Sequence, residues 1–311
     1  MDSATLEPEF KMNIFNQRLS IDVSGVCNLA CLGCKSQPET VPFMSVENFE
    51  KILKKVETAD QLFLHWFHEP TLHPELPELI AIAKRDFGYQ NIYVCTNGTT
   101  KNLSNPDYVW RMLDNLDRFT FCVDGWDQET LQKYRVGANW NQLLKNLKCI
   151  KEFNCGATKE MRVLMFPYNE EYESWFKLLA TAYNFNSISF ASPHILGKTV
   201  LTQDEMVEWL PSTPKYRRYY YHKNAWRHKD KTKCVVGPPV IATNGDVLAC
   251  QWDTTHRFVL GNIYTDTMKY ITTNYNHIVE SMCNKDLIIC KDCLCNTTQR
   301  TDFKILINEN I

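Results

Sequence analysis

Between about residues 18 and 192 the chain alternates short apolar runs with longer amphipathic stretches, a pattern that predicts repeated strand–helix units around a parallel sheet. Six strands are expected, at 19–23, 61–67, 91–95, 118–123, 161–166 and 187–191. Between them, Val46, Phe49, Ile52, Leu53 and Val56 share one helical face behind an N-cap-type Ser45, and Asn105-Pro106 reads as an N-cap followed by a first-turn proline. Another helix is expected after Asn169, with Trp175, Leu178 and Leu179 on one side, and Thr202 with Glu205 forms a capping box. Six such units are too few to close an eight-stranded barrel. The expected fold is therefore α/β, an open, partial (β/α)6 barrel over residues 1–210, with its chemistry at the C-terminal ends of the strands.

The pattern changes after residue 210. Residues 211–233 carry two prolines, eight Lys/Arg and a Tyr/Trp cluster, and read as a basic, aromatic linker. Beyond it, two apolar runs meet at Asn244-Gly245, a strong signal for a two-residue hairpin turn. Residues 234–311 are expected to form a small α+β domain.

A formal charge of −2 gives the chain no general attraction to nucleic acid or to an anionic membrane. The linker leaves a local alternative, because Lys/Arg interleaved with Tyr and Trp is suited to phosphates and bases. Its plainer reading is a solvated connector whose aromatic residues seal the barrel against the small domain. No apolar run approaches the roughly 20 residues that span a bilayer. The acidic "MDSATLEPEF" stretch lacks the apolar and basic regions of a secretory signal, so the expected compartment is the cytoplasm. Thirteen cysteines in a reducing compartment point to metal or cluster ligation rather than to a disulfide framework.

Those cysteines fall into two groups. Cys27-x₃-Cys31-x₂-Cys34 directly follows the first strand, which places three thiols at the catalytic end of the sheet. Three thiolates can hold three corners of a four-iron cube and leave one iron open, or they can bind zinc with a fourth ligand from elsewhere. The second group is Cys234 and Cys250, on the arms of the expected hairpin, with Cys290 and Cys293 in a C-x₂-C turn; Cys283 or Cys295 is a substitute for one of them. Four thiolates suit a closed centre, either zinc or a four-iron cluster, and ligand chemistry alone does not separate the two. Cys95, Cys149 and Cys155 read as small core residues. His65, His68 and His73 around Glu69 invite a zinc-protease reading, but His68-Glu69-x₃-His73 lacks the required spacing and Pro70 interrupts the helix that such a motif needs.

With its Cys27, Cys31 and Cys34 spacing after strand one, the sequence resembles the radical S-adenosylmethionine (SAM) superfamily. "WFHEP" at the end of strand two is similar to the family's Gly-Gly-Glu-Pro segment, "CTNGT" to its third-strand Thr-Asn-Gly, and "FCVDGWDQETLQKYRVGANW" to its Val-Ser-Ile-Asp-Gly…Arg-Gly stretch. The resemblance implies a [4Fe–4S] cluster that binds SAM at its open iron. It also implies that Glu69 accepts a hydrogen bond from the SAM amino group and that Asn97, Asp124 and Arg135 line the cofactor site. Reductive cleavage to methionine and a 5′-deoxyadenosyl radical, followed by hydrogen abstraction from a substrate, is the implied reaction. The second cysteine group resembles the twitch domain, a shorter relative of the SPASM domain, which implies one auxiliary [4Fe–4S] cluster on Cys234, Cys250, Cys290 and Cys293.

Relatives of that type imply an oxidoreductase or maturase acting on a ribosomal peptide or a small polar metabolite, with a flavodoxin or ferredoxin as reductant. Modification of a nucleotide or nucleic acid, and a non-catalytic iron–sulfur or zinc protein, are the alternatives. Four positions depart from the family pattern. Gly33 stands where many members carry an aromatic residue beside the adenine, and Phe67 and His68 replace the paired glycines. Cys122 stands where serine is common, and is a candidate hydrogen-atom donor or a buried spectator.

Overall fold

A computed structural model of the 311-residue chain describes residues 14–34, 38–56, 59–193, 209–217, 219–222, 225–228, 238–251, 253, 255–283 and 303–306. For 219–222, 225–228, 282–283 and 303–306 it describes the backbone alone. The Thr202/Glu205 cap and Cys234, Cys290, Cys293 and Cys295 lie outside these residues, as does the Cys283 side chain.

Six parallel strands form in chain order: β1 (Leu19–Ile21), β2 (Leu62–Phe63), β3 (Ile92–Thr96), β4 (Arg118–Cys122), β5 (Thr158–Leu164) and β6 (Ser187–Ala191). The helices between them are α1 (Val46–Lys55), α2 (Leu76–Arg85), α3 (Pro106–Asn115), α4 (Gln128–Tyr134), α5 (Trp140–Lys151) and α6 (Glu173–Ala182). Their starts follow the expected chemistry. Ser45 accepts from the Asn48 N–H, and Asn105 accepts from the Asp107 N–H with Pro106 at the first position. Asp127 caps α4 reciprocally with Thr130.

Strand alternation sorts the sheet into two faces. Leu19, Ile21, Leu62, Ile92, Val94, Phe119, Phe121, Met161 and Val163 belong to the hydrophobic core together with Phe49, Ile52, Leu79, Val109, Met112 and Leu147 of the helices. The opposite face carries polar or reactive residues instead: Ser20, Asp22, Cys95, Thr120, Cys122, Glu160, Arg162 and Ser189. That face lines the lumen of an open half-barrel, because the sheet does not close on itself.

Both edges of this sheet are extended by later parts of the chain. Short strands β7 (Tyr219–His222) and β8 (Ala225–His228) make a separate antiparallel hairpin inside the segment expected as a linker. β9 (Val240–Ile241) then lies parallel to β1, and β10 (Asp246–Leu248) and β11 (Val259–Asn262) continue outward antiparallel. Gly245, at φ +91°, makes the turn between β9 and β10, as the Asn244-Gly245 pair predicts. α7 (Met268–Cys283) follows, and β12 (Phe303–Leu306) pairs antiparallel with β6 at the other edge. The ten-stranded order is β11-β10-β9-β1-β2-β3-β4-β5-β6-β12.

Candidate active site

The loop after β1 carries Cys27, Cys31 and Cys34 and is tied down from three directions. From the end of β2, the Glu69 N–H donates to the Val26 carbonyl at 3.1 Å. From β3, Asn28 Nδ2 donates to Thr99 Oγ1 at 3.0 Å, and Asn97 Nδ2 donates to Asn28 Oδ1 at 2.9 Å and contacts Cys27 Sγ at 3.8 Å. From the end of α4, the carbonyls of Tyr134 and Val136 accept from Leu32 N and Ala30 N at 3.1 and 3.0 Å. All three thiols are partly buried. Burial pushes the Cys27 thiol up to about 11 and that of Cys31 up to about 12, so without a metal both stay protonated at neutral pH. A metal centre therefore displaces protons as it binds.

Among the described residues, no three His, Cys, Asp or Glu side chains are gathered tightly enough to chelate a single metal ion. The three thiols share one anchored loop, an arrangement that suits an inorganic core bound by several thiolates.

Glu69 is buried at the end of β2 and saturated on one side. Its Oε1 accepts from Thr71 N at 3.0 Å, Thr71 Oγ1 at 2.6 Å and Thr96 Oγ1 at 2.6 Å, while Oε2 accepts from Asn97 N at 2.7 Å. Oε2 thus keeps a lone pair for a ligand donor. Desolvation raises the carboxyl, and the four donors act against that shift. Gly98, at φ +76°, lets the chain turn immediately after Asn97, and a Cβ there would lie 2.3 Å from the Phe121 ring. Asn97 is filled by its own neighbourhood, since Oδ1 accepts from Thr99 N at 2.9 Å and from Thr99 Oγ1 at 2.7 Å. It ties Glu69 to the cysteine loop.

Asp124 and Arg135 form a buried pair, with Nε donating to Oδ2 at 2.6 Å. Asp124 Oδ1 accepts from Leu164 N at 2.7 Å, and the Asp124 carbonyl accepts from Asn169 Nδ2 at 3.0 Å. Asp124 is therefore committed to holding Arg135, whose charge acts on Cys31 and on Cys122. Tyr134 of α4 fills the space beside Gly33: a Cβ on Gly33 would sit 2.7 Å from the Tyr134 hydroxyl and 3.2 Å from its ring. Phe166 packs against the Tyr134 ring at 4.8 Å.

The structure corrects the reading of Cys95 as a core residue. Cys95 lies opposite Thr120 on β4, and Cys122 lies two residues further on, so both thiols project from the lumen face. Their sulfurs are 3.6 Å apart. Below them Glu160 accepts from Arg118, from Arg162 at 3.1 Å and from Ser189 at 2.7 Å. His65 is held neutral, pushed down to about 4 by burial and by the nearby arginines, and its Nδ1 accepts from Cys95 N at 3.2 Å.

A further residue that spacing did not reveal is Asp22, which pairs with the buried His68 at 2.6 Å and is raised by burial to about 6. Next to them, His256 bridges Glu39 at 3.0 Å and Asp246 at 3.1 Å, which pushes it up to about 9. Thr71 and Asn28 also went unseen, because single hydroxyls and amides carry no spacing signal.

Of the second cysteine group, Cys250 alone lies within the described residues; it is partly buried and follows β10. The adjacent Gln251 is fixed to the barrel, since Trp66 Nε1 donates to its carbonyl at 2.5 Å and Arg18 donates to its side chain at 3.1 Å.

A half-barrel with an anchored three-cysteine loop beyond its first strand, a buried glutamate after the second and a held arginine beside the thiols is the frame of an enzyme that works with a cluster and SAM. The profile of the Radical SAM superfamily matches residues 21–179, about half of the chain, and the protein belongs to that superfamily. Membership implies a [4Fe–4S] cluster, SAM, and cleavage of SAM by radical chemistry.

Solved structures that share the fold include three with S-adenosylmethionine bound. anSMEcpe with bound AdoMet is 17% identical, with 89% of this chain and 87% of that one covered and a TM-score of 0.61. Streptococcus suis SuiB bound to S-adenosylmethionine is 16% identical over 90% and 72%, with a TM-score of 0.59. BtrN in complex with AdoMet and 2-DOIA is 14% identical over 93% and 96%, with a TM-score of 0.53. At these identities the likeness carries the fold alone. No curated protein sequence matches the chain significantly. Among the described residues, no helix is long and apolar enough to cross a membrane.

Proposed function

We propose that the protein is a radical SAM oxidoreductase or maturase in which Cys27, Cys31 and Cys34 hold the [4Fe–4S] cluster. The observation that carries this reading is the convergence of the anchored cysteine loop with Glu69–Asn97 on one side and Arg135–Asp124 on the other. Together, cluster and SAM supply a one-electron reductive cleavage and a carbon-centred radical able to take hydrogen from an unactivated C–H bond. The chain's own residues do the rest. The free lone pair of Glu69 Oε2 accepts from the amino group of SAM, and Arg135 presents positive charge to the thiolate-bound centre. Tyr134, braced by Phe166, offers a ring edge to the adenine. Burial of Glu69, Asp124 and Arg135 strengthens their polar interactions at the site.

Two substrate classes fit best, a ribosomally made peptide or a small polar metabolite. Among structures with this fold, one of anSMEcpe contains a Cp18Cys peptide and one of BtrN contains 2-DOIA. Cys250, with Cys234, Cys290 and Cys293, completes an auxiliary cluster, and a flavodoxin- or ferredoxin-type protein is the reductant. Nucleic-acid modification rests on the basic linker, whose side chains from 218 to 233 lie outside the described residues.

The test is anaerobic reconstitution of the full chain, followed by dithionite and SAM. 5′-Deoxyadenosine is expected, and it should disappear in the Cys27→Ala/Cys31→Ala/Cys34→Ala variant. Iron analysis of that variant should still find about four irons per chain if the auxiliary cluster is present. Absence of 5′-deoxyadenosine from protein that holds its iron would reject the enzyme reading, and zinc without iron would reject both clusters.

A further inference from the structure

The Cys95–Cys122 thiol pair occupies the same electrostatic neighbourhood as the groups assigned to the cofactor. The Glu69 carboxylate acts on both Cys27 and Cys95, and the Arg135 charge acts on both Cys31 and Cys122. The pair sits on adjacent strands β3 and β4 of the lumen wall, each cysteine two residues before one assigned to the cofactor site, Asn97 and Asp124. Its sulfurs are in contact at 3.6 Å, and Cys122 is 8% exposed. The contact with Cys122, together with burial, raises the Cys95 thiol well above its ordinary value, so one S–H hydrogen stays on the pair at neutral pH. Two thiols at one spot on an otherwise charged and hydroxyl-lined wall do not serve packing. A sulfur–hydrogen bond is the weakest X–H bond available on that wall, and a carbon radical nearby takes its hydrogen most readily.

We propose that the Cys95–Cys122 pair is a hydrogen-atom donor that returns hydrogen to the substrate radical, so that the C–H bond broken by the enzyme is remade, with inversion where the two faces differ. This rests on the radical SAM reading above and selects, within it, a transformation that leaves the substrate at its original oxidation level. In the step, the substrate carbon radical and a cysteine S–H give a substrate C–H and a cysteine thiyl. The thiyl passes its vacancy between the two sulfurs by hydrogen exchange. One electron from the iron–sulfur reductant and one proton from solvent then restore the thiol. Substrate selection in this scheme favours a centre whose C–H bond can be broken and re-formed on opposite faces, as at the α-carbon of a peptide residue or a carbinol carbon.

The experiment needs no identified substrate, because SAM itself serves as the probe. The reconstituted full chain is equilibrated in D₂O, which exchanges S–H for S–D, and is given SAM and dithionite. The deuterium content of each 5′-deoxyadenosine molecule is then read by mass spectrometry. Expected is a mono-deuterated product from the unaltered protein and a several-fold loss of label per molecule in Cys95→Ala/Cys122→Ala. The single variants report which sulfur faces the radical. Label that is unchanged in the double variant, or absent from the unaltered protein, overturns the proposal. Failure to form 5′-deoxyadenosine at all would instead overturn the reading beneath it. A second measurement is independent of turnover: phenylarsine oxide, which bridges two neighbouring thiols, should link Cys95 to Cys122 in the cluster-free full chain, as mapped by peptide mass spectrometry. Recovery of the two peptides unlinked, in protein that takes up the reagent elsewhere, would refute the pairing.

Discussion

Replacing Glu69 by glutamine tests the site where its geometry is most constrained. The carboxylate meets two backbone N–H groups, from Thr71 on Oε1 and from Asn97 on Oε2, and two threonine hydroxyls on Oε1. Hydroxyls can rotate to accept, but backbone N–H groups cannot. Whichever way the amide is turned, its NH₂ faces one backbone N–H, which then loses its acceptor in a buried setting. Leaving a buried donor unsatisfied costs about 1–3 kcal/mol, and the hydrogen bonds that remain lose their ionic character. Removing the charge recovers part of its desolvation cost, so a net destabilisation of about 1–3 kcal/mol is expected, read as a lower urea midpoint for the metal-free chain. With Glu69 as the proposed acceptor for the SAM amino group, SAM would lose a charged partner as well, worth about 1.5–3 kcal/mol. Its Kd for the reconstituted protein should therefore rise by roughly 10- to 150-fold in calorimetric titration. A variant with the stability and the SAM affinity of the original protein would refute the whole account of Glu69.

Two further perturbations act elsewhere. His256, held between Glu39 and Asp246, has its folded value raised to about 9 from an ordinary 6.5. Its contribution is thus fully present below about pH 6.5 and is lost as pH rises through 9, on the order of 1–2 kcal/mol after solvent screening. His256→Gln should flatten the pH dependence of urea stability across that window; an unchanged slope would assign it to other groups. Gly33→Ala pushes a methyl to 2.7 Å from the Tyr134 hydroxyl, and should lower iron retention on the three-cysteine loop. Tyr134→Phe removes that closest contact, so the double variant should recover part of the loss, with a coupling of about 0.5 kcal/mol or more in stability; strict additivity would contradict the packing described.

Much of this fold was legible because its strands are apolar on the helix-facing side at a regular spacing. The expected runs 91–95, 118–123 and 187–191 fall within a residue of β3, β4 and β6 at each end. The expected 61–67 strand shrinks to Leu62–Phe63, since Trp66, Phe67 and His68 leave the sheet to reach Gln251, Cys34 and Asp22. β5 begins three residues earlier than expected, because Thr158 and Glu160 are polar and face solvent or the lumen. Ordered motifs singled out Glu69, Asn97, Asp124 and Arg135, and the structure joins them as two hydrogen-bonded pairs, with Asn97 also in contact with Cys27. What lay beyond reach depends on register: Cys95 meets Cys122, and Tyr134 meets Gly33, across positions that sequence spacing does not relate. Cys95 reads as a small apolar residue in a strand until the opposing strand is in place.

The arrangement at the two sheet edges bears on how the protein is made. β1 is covered by β9, and β6 by β12, which is formed by residues 303–306. A ribosome delivers the six parallel strands long before it delivers either cover. During that interval the nascent half-barrel presents two open rows of N–H and C=O groups, the kind of edge that recruits strands from other chains. Synthesis, at roughly 5–20 residues per second, leaves the β6 edge bare for several seconds, because about 110 residues separate it from its cover. β12 therefore seals the β6 edge late in assembly.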